Sequence, residues 1–384
     1  MPFSFSMPRR LFTGEGALAA SLPALSALGH CAFIVTDATM VKLGMVERVS
    51  GELASAGIAS EVFDGISGEP TDQMVAAGMR ALAGSGCDFL IGLGGGSPID
   101  ACKAIAMMDA CGGDINGQMG IPLEYDRAPL VAIPTTAGTG SEATQFTIIN
   151  NTVSNVKMLL AGSRVLPDIA IVDPQFTLTA PPAVTAATGV DALCHALEAA
   201  TSRKAQPLSL TFSYSAIKRI FASLPTCYEH GDDVVARADM ALAATEAGIA
   251  FNNASVTVIH GMSRPIGALF HVPHGMSNAM IMMGCLRAVV DGAYPAFART
   301  ARETGLSTAA DDRTAAEELL AAIEHLLERL NIPTLRGYGI DADAFRAAIP
   351  KMAADAIDSG SPANTIKPLT AADLESIYRE LIER

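Results

Sequence analysis

Asp191 and His195 stand four residues apart in Gly189-Val-Asp191-Ala-Leu-Cys-His195, and further histidines follow in His260-Gly-Met-Ser-Arg264-Pro and Pro273-His274-Gly275. A four-residue step puts two side chains on one helix face, and histidines from a second segment can converge on the pair. One carboxylate oxygen and three imidazole nitrogens suit a divalent transition metal with a coordination position left open. The competing account is that each histidine packs in an Ala-rich core. Clustering of a scarce residue favours the metal: there are 7 histidines in 384 residues, and His260, His271 and His274 share one short stretch. Cys194 lies beside His195, but one helical step of roughly 100° turns its thiol away from the ligand face.

Two polar loops suggest a second ligand. Gly92-Leu-Gly94-Gly95-Gly96-Ser97-Pro98-Ile-Asp100 follows an apolar run and opens a helical one. Consecutive glycines let the backbone approach an anion, Ser97 can cap the helix, and Pro98 suits its first position, so free N–H groups would face a phosphate. A turn needing glycine for conformation alone is the plainer account. This is not the GxGxxG fingerprint: the glycines follow a later strand, and Asp109 and Asp114 flank a Gly-rich turn instead of ending one. The loop Ile133-Pro-Thr135-Thr136-Ala-Gly-Thr139-Gly-Ser-Glu142 again follows a strand, and hydroxyls at strand ends of an open α/β sheet lie at its ligand crevice. Asp37, closing the first apolar run, either accepts hydrogen bonds from an adenosine ribose or serves as an ordinary turn aspartate.

These residues need elements to hold them. Apolar runs at 31–36, 60–63, 88–91, 130–133 and 169–172 alternate with helical periodicity at 45–56, 74–83 and 98–108. Strands buried on both faces and separated by helices predict a doubly wound, mostly parallel sheet, hence an α/β domain over residues 1–180. From about Pro181 the pattern becomes Ala- and Leu-rich with 3.6-residue periodicity (183–200, 208–224, 234–250, 315–330, 371–382), which predicts an all-α, metal-binding domain over 181–384. A cleft between two such domains is the usual place for a small-molecule site.

Composition sets the outer bounds. Half the residues are apolar and 17% are charged, which describes a well-packed globular protein. A net charge of −14 without acidic blocks disfavours nucleic acid and anionic membrane as partners. No apolar run reaches ~18 residues, and the amino terminus lacks an apolar core before a cleavage site, so a soluble, cytoplasmic protein is expected. The seven scattered cysteines, without a CxxC pair, read as reduced thiols packed as small apolar residues.

Taken together, Gly94-Gly-Gly-Ser97-Pro-Ile-Asp100-x-x-Lys103, Pro134-Thr-Thr-Ala-Gly-Thr-Gly-Ser-Glu142, Gly189-Val-Asp191-Ala-Leu-x-His195-x-x-Glu198 and His260-x(13)-His274-Gly275 closely resemble the iron-dependent (group III) alcohol dehydrogenases, a family that includes lactaldehyde reductases and 1,3-propanediol dehydrogenases. The resemblance runs over essentially the whole chain. It implies NAD in the α/β domain and Fe²⁺ held by Asp191, His195, His260 and His274, a set that zinc also accepts. It further implies a homodimer or higher homo-oligomer acting on a small alcohol or aldehyde. The pyrophosphate would lie at Gly94, Gly95, Gly96 and Ser97 near Asp100. Thr135, Thr136, Thr139 and Lys157 would line the cofactor, and Asp37 matches the acid associated with NAD over NADP.

One residue departs from the pattern. Many members carry a histidine four residues after the third ligand, where this chain has Arg264, and arginine cannot act as a base at neutral pH. His271 is then a candidate for the proton path, against packing or solvent exposure. Arg264 suits an aldehyde with an anionic tail, against a contact with cofactor phosphate or a domain-interface carboxylate. Two neighbouring classes resemble the chain less well: metal-free maleylacetate reductases, because all four ligands are retained, and NAD/zinc dehydroquinate synthases, because the ligand spacing and the Pro-Thr-Thr loop differ.

Overall fold

The computed structural model describes residues 2–154 and 156–384. Its strands are β1 (Arg10–Thr13), β2 (Cys31–Asp37), β3 (Ala59–Ile66), β4 (Phe89–Gly94), β5 (Leu130–Pro134), β6 (Phe146–Asn151), β7 (Val156–Ala161) and β8 (Ile169–Val172). Among them run helices α1 (Ala17–Ser26), α2 (Ala38–Lys42), α3 (Met45–Ser55), α4 (Asp72–Ser85) and α5 (Gly96–Cys111). Six strands form one parallel sheet in the order β1-β8-β5-β4-β2-β3. Its two-sidedness comes from alternation along the strands. Phe33 and Val35 of β2 join Leu90 and Leu130 in the core under α4 and α5, while Ala32 and Ile34 join Ile91, Val131 and Ile171 in the core under α1 and α3.

The hairpin β6–β7 is antiparallel and stands outside that sheet. The sequence reading contains neither it nor the short edge strand β1, whose side chains are at most half-buried and leave no apolar run. Cys31 and Cys87 are joined as a disulfide, which corrects the expectation that every thiol is reduced. Their sequence separation of 56 carries no pairing signal, whereas neighbouring parallel strands bring their Cα atoms to 4.5 Å. The other five cysteines form no disulfide, and four of these are buried.

The remaining helices are α6 (Pro182–Ala200), α7 (Pro207–Glu229), α8 (Val234–Ala254), α9 (Val258–Phe270), α10 (His274–Val289), α11 (Tyr294–Thr304), α12 (Asp312–Arg329), α13 (Ala342–Asp358) and α14 (Ala371–Glu383). Contacts divide the chain into two units, and the division is discontinuous. One unit is Ser6–Ala180 with Asp232–Gly248, and the other holds residues 2–5, Pro181–Gly231 and Ile249–Arg384. A backbone contact explains why residues 232–248 belong with the sheet: a Cβ on Gly140 would lie 2.5 Å from Cα of Gly248, so both positions require glycine. The buried Glu142 accepts a hydrogen bond from Thr245 in the same segment at 2.6 Å. Among the described residues, no helix is long and apolar enough to cross a membrane.

Candidate metal centre and cofactor loops

Three side chains lie along one stripe of α6: Asp191, His195 and Glu198, all buried. Helical spacing of four and then three residues aligns them. Glu198 serves α9 from outside. Its Oε1 accepts from Thr257 Oγ1 and the Ile259 amide, both at 2.7 Å, satisfying groups at the start of a helix whose own N-cap makes no side-chain bond. Its Oε2 hydrogen-bonds Nδ1 of His260. With Nδ1 committed, Nε2 of His260 is the atom left to face Asp191, whose Oδ1 is 3.6 Å away.

The last histidine arrives from α10. Pro273 is the N-cap and His274 the first helical residue. A Cβ on Gly275 would lie 2.6 Å from the Ala187 carbonyl oxygen, so glycine is what lets this helix start against α6. Nε2 of His274 consequently comes to 3.7 Å from Oδ1 of Asp191, with its side chain about one-third exposed. Rings complete the enclosure: Phe251 stacks on His195 at 4.2 Å and His195 on His260 at 4.5 Å between centroids.

The donors of Asp191, His195 and His260 lie within 4.8 Å of one another. Nδ1 of His195 is buried without a hydrogen-bond partner among the described residues, which is unusual for a native polar atom. A carboxylate, two or three imidazoles and an orphaned ring nitrogen fit a divalent transition metal. Burial alone would raise the Asp191 carboxyl, but His195, His274 and His260 hold it well below the carboxylate range. Burial lowers His195 to about 3, against the pull of Asp191, keeping it a neutral donor. On His260 burial also acts downward, yet Glu198 and Asp191 prevail and raise it to about 9.

In the α/β unit, the glycine loop opens α5 differently from expectation. Gly95 is the N-cap, without a side-chain bond, and Ser97 and Pro98 are already helical. An uncapped first turn leaves its amides for an anion. The hydroxyl loop lies beside it: a Cβ on Gly96 would be 2.9 Å from Thr139 Cγ2, and Thr136 packs against Gly95. Thr135 donates from its amide to the Gly94 carbonyl at 2.9 Å. Asp37 caps α2, its Oδ1 accepting from the Thr39 and Met40 amides at 2.7 and 3.0 Å. Asp100 takes hydrogen bonds from Ser141 Oγ and the Ile148 amide, and Lys157 pairs with Glu69 at 2.5 Å.

Two further candidates sit apart from the ligand cluster. His271 is exposed and ends α9 in the left-handed region at φ 55°. Arg264, one turn beyond His260, is partly exposed, and its Nη1 donates to Ser361 Oγ at 3.1 Å. Among the described residues no carboxylate lies within ion-pair distance of it. Sequence reasoning passed over Asn278, whose Nδ2 touches the ligand set; the signal was its position one turn after His274 on the same face.

The chain belongs to the iron-containing alcohol dehydrogenases. Its residues 8–174 match the family model for iron-containing alcohol dehydrogenase, and residues 185–382 match that for the family's C-terminal region. It is 33% identical to the NAD-dependent methanol dehydrogenase of Bacillus methanolicus over 99% of this chain and 100% of that one. To the 1,3-propanediol dehydrogenase of Klebsiella pneumoniae it is 34% identical, over 98% of each chain. A crystal structure of 1,3-propanediol oxidoreductase superposes with a TM-score of 0.95 at 33% identity, covering 99% of this chain and 100% of that one.

Proposed function

We propose that this protein is a metal-dependent, NAD-linked alcohol dehydrogenase or aldehyde reductase, with iron held by Asp191, His195, His260 and His274. The observation that carries the reading is the convergence of three buried donors, with Nδ1 of His195 left without a hydrogen-bond partner among the described residues. When bound, the divalent ion would lower the pKa of an alcohol and stabilise its alkoxide, and NAD would take up the hydride. The chain's own residues prepare this. Asp191 supplies negative charge where water is excluded, Glu198 fixes the tautomer of His260, and burial keeps His195 unprotonated. The uncapped start of α5 and the hydroxyls of Thr135, Thr136 and Thr139 are read as the dinucleotide-binding surface, with Asp37 favouring NAD; Lys157 is kept as a weaker cofactor contact.

Arg264 refines the substrate. A guanidinium with spare donors and, among the described residues, no carboxylate partner suits a short aldehyde bearing a carboxylate, sulfonate or phosphonate. His271, exposed at the end of α9, is proposed only as a solvent-side step in the proton path. The reading also includes a cytoplasmic homo-oligomer. The test is dialysis against a chelator with metal measured on the same preparation. Activity with NADH and a panel of short aldehydes should disappear with the metal and return with Fe²⁺; full turnover by metal-free protein overturns the reading.

A further inference from the structure

Lys103 takes no part in the chemistry above, yet its ammonium is completely buried in the α/β unit. A buried charge is retained only where hydrogen bonds compensate its lost hydration. Here Nζ donates to the Phe146 carbonyl at 2.8 Å, to Ser141 Oγ and the Thr144 carbonyl at 3.0 Å, and lies 3.1 Å from Thr144 Oγ1. The Asp100 carboxylate stands 4.0 Å away. Ser141 Oγ passes the chain on, donating to Asp100 Oδ1 at 2.5 Å, and Asp100 accepts from the Ile148 amide at 3.0 Å.

The consequence lies in where these partners fall in sequence. Residues 141–148 come directly after the hydroxyl loop, and Asp100 and Lys103 sit in the first two turns of the helix that directly follows the glycine loop. The loops' other ends meet where the Thr135 amide bonds the Gly94 carbonyl. Thr139 fills the space in which a Cβ on Gly96 would stand. Two polar loops are thus tied at one end by the sheet and at the other by one ammonium.

We propose that Lys103 is a positioning residue for the dinucleotide: its ammonium fixes the hydroxyl loop 135–140 against the glycine loop 94–97, so that their shared surface is formed before the cofactor binds. The proposal rests on the reading that this unit binds NAD. Preformed loops cost no ordering on binding, so their loss appears in cofactor affinity. Burial lowers Lys103 to about 8, against the pull of Asp100 and Glu142, which leaves it mostly protonated at neutral pH.

The test uses iron-loaded enzyme at pH 7 with NADH as probe, comparing wild type, Lys103→Met and Thr144→Val by fluorescence titration and steady-state kinetics. Lys103→Met should raise Kd and KM for the dinucleotide roughly tenfold, with metal stoichiometry retained and kcat per bound metal within about threefold. A destabilising role alone would lower the active fraction and leave KM unchanged. Thr144→Val removes one acceptor and should raise Kd about threefold. A folded Lys103→Met protein with unchanged Kd overturns the proposal; if that variant does not fold, unchanged Kd in Thr144→Val overturns it. Wild-type enzyme that binds no NADH would instead sink the functional reading itself.

Discussion

Nδ2 of Asn278 donates to Oδ1 of Asp191 at 2.6 Å, and the same nitrogen lies 3.1 Å from Nε2 of His260 and 3.3 Å from Nε2 of His274. One amide on α10 therefore holds the Asp191 carboxylate at the point where the side chains of Asp191, His260 and His274 meet. Asn278→Ala should weaken metal binding by roughly 10- to 100-fold, as is usual for groups that orient ligands. Activity should be recovered at high Fe²⁺, and a metal titration followed by turnover checks it. Unchanged metal affinity would show that Asp191 needs no such support.

Glu198 makes a second prediction. Glu198→Gln keeps the size of the side chain but replaces the oxygen facing Nδ1 of His260 by an NH2 group, which donates and cannot accept. With the tautomer of His260 released, metal content after dialysis should fall while the protein stays folded. Little further loss of stability is expected, because the Thr257 hydroxyl and the Ile259 amide bond the other oxygen, which glutamine retains.

Asp37 should set coenzyme preference. A carboxylate facing a 2′-phosphate is repelled where water is partly excluded. Asp37→Gly should narrow the preference for NAD over NADP by about tenfold, or ~1.4 kcal/mol. The same change removes the cap of α2, so a small fall in Tm should accompany it. Wild-type enzyme that prefers NADPH would contradict the assignment.

Arg264 is tested with substrates. An anionic aldehyde such as succinic semialdehyde or sulfoacetaldehyde should exceed propanal and lactaldehyde in kcat/KM by tens-fold, about 2 kcal/mol. Arg264→His should erase most of that margin. If neutral aldehydes already lead and the variant keeps the ranking, the guanidinium has another task, and its bond to Ser361 is the place to look.

What was legible in the sequence was whatever depends on spacing within one element. Asp191, His195 and Glu198 fall on a helical repeat, and the buried strands are short apolar runs between helical stretches. Relations between elements were not legible. Ser97 reads as a cap, but Gly95 is the N-cap, because a cap is chosen by backbone geometry and not by residue type alone. Asn278 acts only once α10 has been laid on α6, and Lys103 becomes conspicuous only when burial is known. Cys31 and Cys87 became neighbours through strand order, which alternation does not encode.

The contact between Gly140 and Gly248 has a consequence for how the protein is made. Ribosomal synthesis delivers the whole sheet by residue 172, but the loop after β5 then still lacks the backbone that packs on Gly140 and the Thr245 hydroxyl that Glu142 accepts from. The loop after β5 is therefore completed only when residue 248 has emerged. Between those two points of synthesis the loop lacks its packing partner, and exposed unfinished surface of that kind is what chaperones bind.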